Sequence, residues 1–200
     1  MKLHIGCGEK FLPGRKHLDA RKFLHVDYVT NKLDKLDMFA DNSVAEIYAC
    51  HLIEHMPRSR IRNASVDGGI VNLLSVKVDG GINEISVLCE WYRILKPGGI
   101  LRIAVPDFEA VVEEYLSSKN LDKLQSFLHG GSKYELDFHY QTYDFKRLSD
   151  LLTDAGFSDV KRYDWREFLP QDYDDYSRSY LPHMDFEHGR LMSLNVVATK

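Results

Sequence analysis

Short β-prone runs recur at Leu3 to Ile5, His17 to Asp19, Val26 to Val29, Glu46 to Ala49 and Ile100 to Val105, each bounded by Gly, Pro, Asn or Asp. They read as buried strands. Between and after them, apolar residues return at helical spacing. Ile85, Leu88, Trp91, Tyr92 and Leu95 share one face, Val111, Val112, Tyr115 and Leu116 a second, and Phe145, Leu148, Leu151 and Leu152 a third. Residues 96–99, KPGG, stop the first helix with a proline that cannot continue it, and Gly156 stands where a left-handed residue would close the last. Strands alternating with helices predict an α/β chain with a doubly wound, mostly parallel sheet and a ligand crevice at the carboxyl ends of its strands. Val160 to Trp165 and Leu191 to Thr199 have no convincing helix between them. They are expected to pair antiparallel at one edge of the sheet.

The 200 residues, 44% hydrophobic and 28% charged, suffice for one domain spanning 1–200. No apolar run reaches the roughly 18 residues of a membrane span, and MKLHIGCGEK lacks a secretory apolar region, so a soluble, cytoplasmic protein is expected. Cys7, Cys50 and Cys89 have no CxxC spacing, which suggests neither a disulfide framework nor a zinc knuckle. A net charge of -4 gives no broad basic field and argues against a nucleic-acid partner.

The first strand runs into a glycine loop, KLHIGCGEKFLPG at 2–14. In a dinucleotide site the third glycine of GxGxxG lets the helix pack close to the strand beneath a pyrophosphate, and here that position is Phe11. A ligand without phosphates does not need the anion site. S-adenosylmethionine is such a ligand: glycines admit its aminocarboxypropyl chain and ribose to the backbone, and a carboxylate ending the next strand can take both ribose hydroxyls.

KLHIGCGEKFLPG, DMFADNSVAEIYACHLIEHM, EWYRILKPGGILRIAVPDF and LLTDAGF follow one another along nearly the whole chain outside 58–84. In that order they resemble class I S-adenosylmethionine-dependent methyltransferases, and most closely the small predicted methyltransferases associated with surface-polysaccharide synthesis. The resemblance implies a Rossmann-like seven-stranded sheet, S-adenosyl-L-methionine as cofactor, and methyl transfer. It also implies that Gly6, Cys7 and Gly8 line the methionine part, that Asp19 holds the ribose with Asp27 as competitor, and that Cys50, His51 and Leu52 close over the sulfonium side. In the resembling family an acidic residue commonly meets the adenine amine; here Asn31 and Lys32 occupy that neighbourhood, with Asp34 slightly later. Asn31 and Leu33 are the adenine-side candidates.

In-line methyl transfer depends on alignment, and a hydroxyl acceptor profits from a base. Asp107 in VPDF and His139 in DFHYQTYD stand at acceptor-side places in the resemblance and are the catalytic candidates, although Asp107 also suits a helix N-cap and His139 a surface loop. Residues 165–190 mix Tyr and Asp, which suits a polyhydroxylated acceptor. The expectation is methylation of a small-molecule or glycan acceptor at oxygen, with a non-catalytic S-adenosylmethionine-binding module as the alternative. HLIEH at 51–55 also matches HxxEH, the pattern of zinc hydrolases, but a further ligand would be needed and the resembling family carries its EH pair without metal. No metal is assigned. Residues 58–83 form a peripheral insertion with VDGGI at 66–70 and again at 78–82, a turn signal repeated around apolar Ile70, Leu73, Leu74 and Val76. Those side chains need cover from the domain itself or from a partner chain, as in a homodimer.

Overall fold

The computed structural model describes residues 1–57, 82–131 and 136–200. Of the expected excursion at 58–83, residues 58–81 lie outside the described residues; the helix that follows is capped at Asn83. Seven strands form one sheet in the order β3-β2-β1-β4-β5-β9-β6. They are β1 (Lys2–Ile5), β2 (Lys16–Asp19), β3 (Tyr28–Val29), β4 (Val44–Cys50), β5 (Leu95–Pro106), β6 (Ser158–Arg162) and β9 (Ser193–Thr199). β9 runs antiparallel to both of its neighbours, and the other six strands run together. The expected antiparallel pairing of β6 with β9 is present, but β9 lies inside the sheet and β6 takes the edge. Tyr180–Leu181 (β7) and Arg190–Leu191 (β8) form a separate two-stranded ladder.

Alternate side chains along the central strands enter two different cores, as the period of two requires. Leu3, Ile5, Leu18, Ile47, Ala49, Leu101, Ile103, Val105, Leu194 and Val196 face the first. This core is closed by α1 (Glu84–Ile94), through Val87, Leu88, Trp91 and Ile94, and by α4 (Phe145–Asp154), through Leu148 and Leu152. Both helices carry good ends. Ser86 N–H donates to Asn83 Oδ1 and Asn83 N–H to Ser86 Oγ, each at 3.1 Å, a reciprocal cap. After α4, Gly156 at φ +102° lets Gly156 N–H reach the Thr153 carbonyl and Phe157 N–H the Leu152 carbonyl, as read from the sequence. Leu95 departs from the reading. It is the first residue of β5, so KPGG lies within the span of that strand rather than in a loop.

The second face carries His4, His17, Glu46, Tyr48 and Arg102. Among the described residues, the connections from β1 to β4 contain no helix to cover it. The segment 165–191 does so instead: Trp165, Leu169, Tyr173 and Tyr180 pack with Leu12, Tyr48, Cys50 and Ala104. Its polar groups are tied in as well, Tyr48 O–H donating to Asp175 Oδ2 at 2.5 Å while Ser177 N–H and O–H donate to Asp175 Oδ1. The Tyr and Asp content that suggested acceptor binding is thus largely a structural cover, because the polar sheet face beneath it needs partners. Tyr176, 68% exposed, is free of that duty.

α2 (Phe108–Ser118) also differs from the reading. It buries Ala110 and Val111 against Leu124 and Met192, whereas Val112, Tyr115 and Leu116 face outward, since the helix touches the domain along a narrower stripe than its apolar residues span. α3 (Gln125–His129) follows and adds Phe127 and Leu128 to the same small cluster. Among the described residues no helix is long and apolar enough to cross a membrane.

Candidate active site

The glycine loop leaves β1 at Gly6, whose φ of +69° disfavours any side chain, and a Cβ there would stand 2.7 Å from Leu52 Cδ2. Gly8 is also left-handed, at φ +54°. That turn aims Gly8 N–H at Asp19 Oδ2, 2.7 Å away at the end of β2, while Arg21 N–H donates to Asp19 Oδ1 at 2.8 Å. Farther along, Leu12 N–H donates to His17 Nε2 at 3.0 Å. Asp19 is buried, and each of its oxygens takes one backbone N–H; the Arg21 guanidinium also stands 3.5 Å from Oδ1, so Oδ2 is the more open of the two to a further donor. A vicinal diol, the ribose pattern, matches that remaining capacity. Cys7 is buried beside them, and burial followed by the Asp19 charge pushes its thiol up to about 12, so it lines the loop as a neutral group.

Asp27 has a different task. It accepts from Lys16 Nζ at 2.6 Å and from His17 N–H at 2.8 Å, and the Lys16 bond holds its carboxyl below the usual range. Asn31 is exposed just after β3, whereas Leu33 packs into the first core.

At the end of β4, Cys50 is buried and its thiol is pushed up by burial. The chain then turns at His51, φ +49°, whose N–H donates to the Ala104 carbonyl at 2.8 Å. His51 Nε2 lies 3.2 Å from Ser193 Oγ, its Nδ1 3.4 Å from Glu54 Oε1, and its ring centre 5.4 Å from that of Tyr176. Burial, helped by His139 and His55, pulls its pKa down to about 3, so the imidazole is neutral. Burial drives the Glu54 carboxyl the other way, up to about 8.

Glu54 and His55 stand on a single 3-10 turn, Ile53–His55. The Glu54 carbonyl accepts from Tyr140 N–H at 2.8 Å and Gln141 N–H at 3.1 Å, which clamps the His139 segment over the turn. As a result the His55 and His139 rings meet edge to face at 4.8 Å, and burial lowers the pKa of both. Asp107 stays apart from this group in its bonding. Its Oδ1 caps α2 by accepting Glu109 N–H at 3.0 Å, and its Oδ2 pairs with Arg162 at 2.9 Å. Both oxygens are engaged, so the N-cap role foreseen for it is realised.

The structure thus joins the loop residues Gly6, Cys7 and Gly8 to Asp19 at the end of β2, and His51 and His139 around Glu54 and His55. Sequence reasoning named HLIEH but missed the buried Glu54 as the centre of the second group. The available signal was its place directly after the apolar pair Leu52–Ile53, close behind the end of β4.

No family model and no curated protein matches the chain. Solved structures that it resembles include an S-adenosylmethionine-dependent methyltransferase of Thermotoga maritima, described as a possible histamine N-methyltransferase, at TM-score 0.53 and 17% identity over 100% of this chain and 81% of that one. An S-adenosylmethionine-dependent methyltransferase of Archaeoglobus fulgidus gives 0.52 and 14%, over 100% and 85%. At such identities the likeness is one of fold. The chain has the Rossmann-like fold of class I S-adenosylmethionine-dependent methyltransferases.

Proposed function

We propose that the protein is an S-adenosylmethionine-dependent methyltransferase that methylates an oxygen of a small-molecule or glycan acceptor. The observation that carries this reading is the lock between Gly8 N–H and Asp19, which leaves open acceptor capacity, chiefly on Oδ2, at the carboxyl end of the sheet. S-adenosylmethionine, when bound, supplies an electrophilic methyl on a sulfonium. The backbone of Gly6, Cys7 and Gly8 would hold its methionine part and Asp19 its ribose. Asn31 and Leu33 are assigned to the adenine side, and Cys50 with His51 to the sulfonium side. A hydroxyl sheds its proton on methylation, and of the two imidazoles His139 is the candidate to accept it, because the burial that holds His51 down to about 3 makes that ring a poor base. Asp107, with both oxygens committed, is the weaker of the two catalytic candidates. Three free thiols suit a reducing compartment such as the cytoplasm.

Calorimetry with S-adenosylmethionine and its demethylated product tests the cofactor assignment. Asp19→Ala should lose roughly 1.5–3 kcal/mol, about tenfold or more in affinity, because charge-assisted bonds to the ribose are removed. Asp27→Ala should bind as the wild type does, and a loss confined to it would overturn the assignment. An acceptor screen with labelled cofactor then reads the substrate. Transfer to protein or nucleic acid in preference to glycans and small molecules would refute the acceptor class, and cofactor binding without turnover on any acceptor would favour a binding module.

A further inference from the structure

Glu54 is fully buried, and among the described residues neither carboxylate oxygen has a hydrogen-bond partner. His51 Nδ1 lies 3.4 Å from Glu54 Oε1. A buried carboxyl left so is costly, and a native fold keeps one where an ion or water completes it. The two histidines beside it are arranged to the same end. His55 Nδ1 lies 3.0 Å from the Phe138 carbonyl, and His139 Nδ1 lies 3.1 Å from the Phe127 carbonyl. A carbonyl oxygen only accepts, so both Nδ1 atoms carry the proton and both Nε2 atoms keep a lone pair. Backbone carbonyls fix metal-binding imidazoles in this way. One ligand atom from each of Glu54, His55 and His139 lies within 4.8 Å of the others.

We propose that Glu54, His55 and His139 form a binding site for a divalent transition-metal cation. Bonds of about 2.1 Å at tetrahedral angles hold two ligands about 3.4 Å apart, so the group closes by at most about 1.4 Å on the ion. Two imidazoles and one carboxylate suit zinc, cobalt, iron or manganese better than the all-oxygen sites of magnesium or calcium. Three protein ligands leave coordination positions open at the carboxyl end of the sheet. On the methyltransferase reading, those positions would take hydroxyl oxygens of the acceptor, and His139 would serve as a ligand rather than as a proton acceptor. The site itself does not depend on that reading.

Untagged protein, stripped with a chelator, is titrated with Co2+, Zn2+ and Mn2+ by calorimetry, and the cobalt titration is followed by visible absorption. One equivalent of Co2+ should bind with a d–d absorption band that Zn2+ abolishes. His139→Ala and Glu54→Gln should each weaken binding roughly tenfold or more, while His183→Ala and His188→Ala on the surface should leave it unchanged. Circular dichroism reports whether each variant folds. If Glu54→Gln does not, the half-buried His55→Ala takes its place beside His139→Ala. Absence of stoichiometric binding for all three ions, or binding retained in every folded ligand variant, overturns the proposal. No S-adenosylmethionine enters the titration, so failure here and failure of cofactor binding are separate results.

Discussion

Lowering the pH from 7 to 5 should destabilise the protein through His4. The side chain is 2% exposed on the second face of the sheet, its ring centre 5.6 Å from that of His17 and 5.1 Å from that of Tyr48. Burial, and then the charges of His17, Arg15 and His25, hold its pKa down to about 3. The unfolded chain, with a pKa of about 6.5, takes up a proton that the folded chain refuses. Stability from this group is therefore complete above pH 6.5 and is lost as the pH falls toward 3. Integrated between those values, the loss is about 2 kcal/mol from pH 7 to pH 5 and roughly 5 kcal/mol below pH 3. His17 acts in the same direction, since burial lowers its pKa and a proton on Nε2 would break the bond from Leu12 N–H that anchors the glycine loop. The assay is urea unfolding of wild type and His4→Gln at both pH values. Histidines remote from position 4 cancel in the comparison, and with coupling to His17 and His25 allowed for, the variant should lose roughly 1–2 kcal/mol less than the wild type between pH 7 and 5. Equal losses, within about 0.5 kcal/mol, would refute the argument.

Two further substitutions probe the site. Gly6→Ala should cost at least about 1–2 kcal/mol in urea unfolding from its left-handed φ alone, with more from the clash on Leu52; repeating it in a Leu52→Ala background should recover the clash and not the backbone strain. Asp107→Asn keeps a good helix N-cap and should leave methyl transfer within about threefold of wild type. A fall of a hundredfold or more, the scale of general acid–base catalysis, would show Asp107 to be a base after all.

The features legible in the sequence were those written in neighbouring residues. Strands β1, β2, β4 and β5, the cap at Gly156 and the turn through Gly6 and Gly8 depend on short-range periodicity or on a backbone angle that glycine alone adopts readily. The outward face of α2 was illegible because Val112, Tyr115 and Leu116 look like core until Leu124 and Met192 have claimed the other side of the helix. The role of 165–191 was hidden for a related reason. Its aromatic residues answer a polar sheet face made by His4, His17 and Tyr48, and that face exists only once the strands are paired. In the site, Asp19 could be found from its place at a strand end. The meeting of His55 with His139 could not, since two hydrogen bonds to the Glu54 carbonyl, and no local pattern, bring those segments together.

The interior position of β9 bears on how the chain acquires its shape during synthesis. A ribosome makes β1 to β6 first, and the five parallel strands from β3 to β5 can assemble by themselves, but β6 has no strand to pair with until residues 193–199 emerge. Until then β5 offers Ile100–Pro106 as an unpaired border, open to a strand from any other chain nearby. The vulnerable interval in the life of this protein therefore opens when β5 emerges, and it ends when one seven-residue segment slides in between β5 and β6.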